Sequence, residues 1–188
     1  MSVTSAYIPD RLLLEGWYEN TSQRNSVSEF LGLEQTLSVT YEVQGEYPAS
    51  LTVMTLKTLV LLDEEELQQK TLEMMNATLS QGIQLNNTPK TTGERLINKS
   101  HMTMYFVYSG VDTSVSPAEN VHVIGEVWNC QTSGTSIICI GVAYVTHTLN
   151  NTVYSDLANW KKMVMDPWGS IDGLTGEDGL LDHVVCHQ

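Results

Sequence analysis

Apolar and polar positions in this chain follow two rhythms. Over residues 34–44, EQTLSVTYEVQ, they alternate: Leu37, Val39, Tyr41 and Val43 share one face, and Thr36, Ser38, Thr40 and Glu42 the other. A period of two marks a half-buried strand. Residues 45–48 turn the chain, and residues 49–62 return as a second strand. The strongest strand signal lies at residues 121–145, VHVIGEVWNCQTSGTSIICIGVAYV, where β-branched and aromatic residues fill two arms around a turn at 132–136. The second arm, with Ile137, Ile138, Ile140, Val142 and Tyr144, is apolar on both faces, the pattern of a central strand covered on two sides. This hairpin is the expected floor for everything else.

The helical rhythm begins at Asp63. That residue is a good N-cap, with Glu66 three places on to complete a capping box and Glu64 and Glu65 suited to the positive end of the helix dipole. Leu67, Thr71, Met74, Met75 and Thr78 fall on one face, and Gly82 is the expected stop. Ser155 is expected to cap a second helix over 156–166, with Leu157, Trp160, Met163 and Val164 inward and Pro167 ending it. Residues 9–15 read as a short helical turn, and 83–90, 93–97 and 101–109 as strands, with a turn at 98–100. Residues 19–26, 111–120 and 147–152 read as polar loops. Residues 167–188 form a tail rich in Gly and acids that closes in a short strand over 180–186. Helices do not alternate with strands, so the expected fold is α+β: one domain over 1–188, an antiparallel β-sheet flanked by two main helices. A chain of this length buries roughly 70% of its unfolded surface.

Charge narrows the partners. The chain carries 22 acids against 9 bases, a net charge of −13, which repels phosphate backbones and anionic lipid. Nucleic acid is therefore not an expected partner; solubility, a salty habitat or a basic protein partner suits the field. No apolar run approaches the 20 or so residues of a membrane span. The opening MSVTSAY has neither a basic region nor an apolar core, so the expected place is the cytoplasm or, if a leader has been removed, the cell surface or exterior. Five N-x-S/T sequons, at Asn20, Asn76, Asn86, Asn98 and Asn150, lean toward the second. Composition alone would give about two.

Candidate chemistry is sparse. Cys130 and Cys139 flank the central turn. With Gly134-Thr135 at its centre they face each other at disulfide distance; with Ser133-Gly134 at its centre Trp128 faces Cys139 instead. A Cys130–Cys186 bridge and free buried thiols are the other readings. His183, Cys186 and His187 offer three metal-ligand side chains in five residues, and zinc would need a fourth, such as His101, His122 or His147. Asp166, Asp172, Glu177, Asp178 and Asp182 lack EF-hand spacing and read as a solvated acidic loop. Glu94, Arg95 and Glu126 read as a sheet-face ion pair. No phosphate loop or nucleophile motif is present, and no cofactor is expected.

The segments LTVMTLKTL, GERLINKSHMTMYFVYSG, GEVWNCQTSGTSIICIG and DGLLDHVVCH, in this order around a capped helix, resemble the PsbP and Mog-type superfamily, most nearly its uncharacterised archaeal members. The resemblance implies an antiparallel sheet with flanking helices and an accessory or binding role. It carries no site residues. The expected function is thus a non-catalytic binding or accessory domain acting through a protein partner. The alternative is a small-ligand-binding protein or metal-assisted enzyme using the C-terminal His/Cys cluster.

Overall fold

The computed structural model describes residues 3–29, 34–79 and 81–187. In chain order the elements are β1 (Trp17–Glu19), β2 (Asn25–Glu29), β3 (Glu34–Val43), β4 (Ala49–Lys57), α1 (Glu64–Thr78), β5 (Ile83–Leu85), β6 (Thr91–Ile97) and β7 (His101–Asp112). There follow β8 (Glu119–Cys130), β9 (Thr135–Tyr144), β10 (Thr146–Leu149), β11 (Thr152–Ser155) and α2 (Ala158–Val164). Nine strands form one antiparallel sheet in the order β1-β3-β4-β9-β8-β7-β5. β2 lies beside β1 on the outer edge of β3, and β6 beside β5 on the outer edge of β7. The β8–β9 hairpin occupies the middle, as its two-sided apolar pattern requires, and β9 is buried along nearly its whole length.

Each face of the sheet carries its own core. On one, α1 lays Leu67 and Met75 over Met54, Phe106, Val123, Val127, Ile138 and Ile140. On the other, α2 and both chain ends cover Tyr41, Leu51, Val107, Ile124, Trp128 and Ile137 with Trp160, Met163, Leu181 and Val184. Two glycines of the central hairpin let the helices come close. A Cβ on Gly125 would lie 2.7 Å from Met75 Sδ, and one on Gly141 would lie 2.2 Å from Met163 Sδ, so a side chain at either position must displace the methionine packed over it.

The helix at 64–78 starts as its sequence dictates. Asp63 accepts from Glu66 N at 2.9 Å, and Glu66 reaches back to Asp63 N at 3.0 Å, closing the capping box. It ends at Thr78, ahead of Gly82.

Several expectations are overturned. The protein is mostly β, 46% strand against 17% helix, and not an α+β sheet flanked by two main helices. The second helix keeps only seven residues because its expected cap is used elsewhere: Ser155 closes β11, and Asp156 Oδ1 accepts from Ala158 N at 2.7 Å in its place. Residues 147–152 are no loop. Asn150 and Asn151, at φ 50° and 62°, make a tight turn between β10 and β11. Residues 19–26 hold the ends of β1 and β2 around a short 3-10 turn. The strand expected through residue 62 stops at Lys57, leaving Leu59 and Val60 exposed. The tail closes not as a strand but as a 3-10 turn, Leu181–His183, followed by one antiparallel bridge from Val185 to Tyr7. Its last residue, Gln188, lies outside the described residues.

Candidate functional site

Where the tail meets the sheet, four ligand-type side chains converge. Cys130 is the last residue of β8 and His101 the first of β7. The β7–β8 register, Met104 opposite Val127, extended three rungs, sets His101 opposite Cys130 on the face that holds Trp128. Cys186 and His187 arrive from the tail. Leu180, Leu181 and Val184 are wholly buried there, Val185 N donates to Tyr7 O at 2.8 Å, and Asn98 N donates to Asp182 Oδ1 at 2.9 Å. Cys130 and Cys186 form a disulfide with Cα atoms 6.5 Å apart. His187 Nδ1 lies 3.4 Å from both sulfurs, and His101 Nε2 lies 3.5 Å from Cys186 Sγ. The imidazoles stand nearly perpendicular, their centroids 5.6 Å apart. Burial, and then the neighbouring His187, push His101 below the usual imidazole range, favouring the neutral ring that ligates or accepts. The sulfurs are buried while both rings are half-buried, so solvent reaches the cluster from the imidazole side.

On the same face a charged network is sealed in the core. Arg95 Nε and Nη2 each donate to Glu126 at 2.7 Å, and Nη1 donates to Asp166 Oδ2 at 3.2 Å and to the Val164 carbonyl. Thr103 donates to Glu126 as well, and the guanidinium lies 6.0 Å from the Tyr105 ring centroid. Burial alone would lower the Arg95 pKa, but Glu126 and Asp166 more than reverse it and keep the cation charged. Burial would raise the Asp166 carboxyl; hydrogen bonds from Ser170 and Trp168 N, and then Arg95, hold it below the usual range. The network ties the end of α2 to β6 and β8. Its arrangement is that of a clamp: each charge is spent on another protein group.

The sequence-derived candidates divide accordingly. The structure pairs Cys130 with Cys186 and excludes Cys130–Cys139. The central turn spends four residues, 131–134, so Cys130 faces Thr135 and Cys139 faces Glu126. Cys139 stays a free thiol, wholly buried and pushed well up, first by burial and then by Glu126. Cys186 and His187 join the cluster; His183 does not, because the 3-10 turn carries it away. Of the three suggested partners only His101 arrives. His122 stacks edge-on against Trp160, and His147 lies against Tyr47. The acids of the tail are dispersed: Asp166 to Arg95, Asp172 to Lys90 at 3.1 Å, and Asp182 to Asn98. Asp166 and Asp182 are buried and built into the core, whereas Asp172, Glu177 and Asp178 are exposed, so the solvated-loop reading holds for these three and fails for the other two. Arg95 and Glu126 pair as read, while Glu94 is exposed and outside the network.

At the far end of β8 the β10–β11 hairpin forms a separate two-stranded arm whose root, at Thr146, is buried. Glu119 fixes its root by accepting from Thr146 Oγ1 at 2.6 Å and Thr148 N at 2.7 Å. Every residue of β11 is exposed. The register places Leu149 and Tyr154 on one face and Val153 on the other, at 52%, 50% and 63% exposure. Exposed Glu46 and Asp156 border the arm, and Tyr47 beside it is pushed up by desolvation and then by these acids. Among the described residues no helix is long and apolar enough to cross a membrane.

No family model, no curated protein and no solved structure matches this chain.

Proposed function

We propose that this is a non-catalytic accessory domain that engages a protein partner through the β10–β11 arm. The observation that carries the reading is the arm itself: a hairpin rooted firmly at Glu119 that presents apolar side chains to solvent on both faces. Burying a large apolar side chain is worth roughly 1.5–3 kcal/mol, and short exposed hairpins are marginal in water, so an arm of this kind gains by being covered. Apolar residues on two faces suit insertion into a groove better than contact with a flat surface. Glu46 and Asp156 at the border, and the net charge of −13, call for a partner with an apolar cleft and a basic rim. The edge of β11, unpaired among the described residues, offers such a partner backbone hydrogen bonds as well.

Site-specific photo-crosslinking in the native host tests this. With benzoylphenylalanine in place of Val153, one defined protein adduct is expected. It should weaken with added salt and disappear in the Leu149→Asp/Tyr154→Asp background. The same probe at the exposed α1 position Gln69 should give none. No adduct from position 153, or the same adducts from both positions, overturns the reading.

A further inference from the structure

We infer that His101, Cys130, Cys186 and His187 form a Cys2His2 zinc site in the reduced protein, so that a metal ion and the disulfide are alternative occupants of the same four side chains. The donor geometry carries this. A tetrahedral zinc with Zn–S of about 2.3 Å and Zn–N of about 2.05 Å sets sulfur and nitrogen ligands about 3.6 Å apart. Three of the four Sγ···N separations are 3.4, 3.4 and 3.5 Å. All four donor atoms lie within 4.8 Å of one another. On opening of their bond the sulfurs separate to about 3.8 Å, and the remaining donor pairs, already within 4.8 Å, close to tetrahedral spacing around the ion. The donors come from three places in the chain, the start of β7, the end of β8 and the tail, each fixed by pairing or burial of its own. The set is therefore assembled by the fold before any ion arrives. Half-buried imidazoles on the solvent side give the ion an entry path, and the thiolate side is dry.

The chemistry balances with a thiol reductant. Two thiols give up two electrons and two protons to the bridge, becoming a disulfide themselves and leaving Cys130 and Cys186 as thiols. Zinc binding then displaces both thiol protons, and the imidazoles ligate through His101 Nε2 and His187 Nδ1. In reverse, a disulfide oxidant accepts the two electrons, the Cys130–Cys186 bond re-forms and zinc leaves. Either occupant pins the tail to β8. Tail attachment thus persists in both oxidising and reducing surroundings, which neither a plain disulfide nor a plain zinc site achieves. The cluster lies at the opposite end of β8 from the β10–β11 arm, and the inference does not depend on the arm's role.

Cobalt substitution of tag-free protein tests it. After anaerobic reduction and removal of the reductant, one equivalent of Co2+ should produce the intense visible bands of a tetrahedral site and a near-ultraviolet thiolate-to-cobalt band. Zn2+ should displace it one for one, and the disulfide-bonded protein should give neither signal. His101→Ala and His187→Ala each keep both cysteines and can still form the bridge. Each should weaken zinc by more than the roughly 10- to 100-fold that even an outer-shell partner is worth. Cys139→Ser should change nothing. Reduced protein that gives no tetrahedral cobalt spectrum overturns the inference. So does unchanged zinc affinity in the His101→Ala/His187→Ala double variant.

Discussion

Replacing Arg95 by Met tests the buried clamp most directly. The guanidinium is fully shielded, with 0% side-chain exposure, as is Glu126. Asp166 would survive the loss, since Trp168 N at 2.8 Å and Ser170 N at 3.2 Å still reach it. Glu126 would not: two bonds of 2.7 Å vanish and only the Thr103 hydroxyl remains. An orphaned charge of this kind costs about 3–5 kcal/mol. The total stability to be expected of a domain is about 5–15 kcal/mol. With a urea slope of about 2–3 kcal/mol/M, the midpoint of unfolding should fall by about 1.5 M with the slope unchanged. Arg95→Met/Glu126→Gln removes the charge along with its partner and should be no less stable than Arg95→Met alone. The coupling between the two sites should be on the order of 2 kcal/mol. A midpoint shift under about 0.3 M for Arg95→Met, or additivity within about 0.5 kcal/mol, would refute this account of the clamp.

Three further outcomes are expected. Reducing Cys130–Cys186 in the presence of a chelator frees a loop spanning 56 residues, which by the chain-entropy relation removes about 4 kcal/mol; urea titrations of oxidised and reduced protein measure it. Gly141→Ala, whose new methyl meets Met163 and Ile124, should lose about 1–3 kcal/mol by the same titration, whereas Gly173→Ala, with open space around it, should show only the strain of its positive φ. Stability should also fall in acid. Asp112, Glu119 and Asp166 have folded pKa values below their unfolded ones, so their contributions are present above the ordinary carboxylate range, about 4, and vanish as pH drops through the lowered values. Asp182 is raised by burial and acts the other way, its contribution fading as pH rises through its folded pKa; Asp166→Asn should flatten the acid limb seen in thermal melts, and Asp182→Asn should steepen it.

What could be read from the chain was local. The capping box at Asp63 and Glu66 involves residues three apart and appears as written, and the alternation from residue 34 marks a real strand, though Thr40 on its polar face is buried and Leu37 only half-buried. The central hairpin was legible for the same reason, but its register was not. Two-residue and four-residue turns look alike in a run of Gln, Thr, Ser, Gly and Thr, and that choice decided which cysteine met which residue. The β10–β11 arm was hidden by composition: an Asn-Asn pair reads as loop, yet Asn tolerates positive φ and serves a tight turn equally well. His101 was one name among three because its approach to Cys130 is set by strand pairing, while Cys186 and His187 depend on how a polar-looking tail buries Leu180, Leu181 and Val184. The α+β expectation failed on length, since a helix of seven residues and one of fifteen cannot balance a nine-stranded sheet.

Gly125 faces Ile140 and Gly141 faces Ile124, so the two bare positions that seat α1 and α2 occupy neighbouring rungs of one hairpin, opening to opposite sides. The upper and lower layers of the molecule therefore rest on adjoining seats in a single hairpin. A side chain added at Gly141 meets Ile124, the neighbour of Gly125, so the two seats are expected to be coupled. Substitutions that look unrelated, on opposite sides of the sheet, should compensate or aggravate one another there, and the two layers should come apart together in one calorimetric peak.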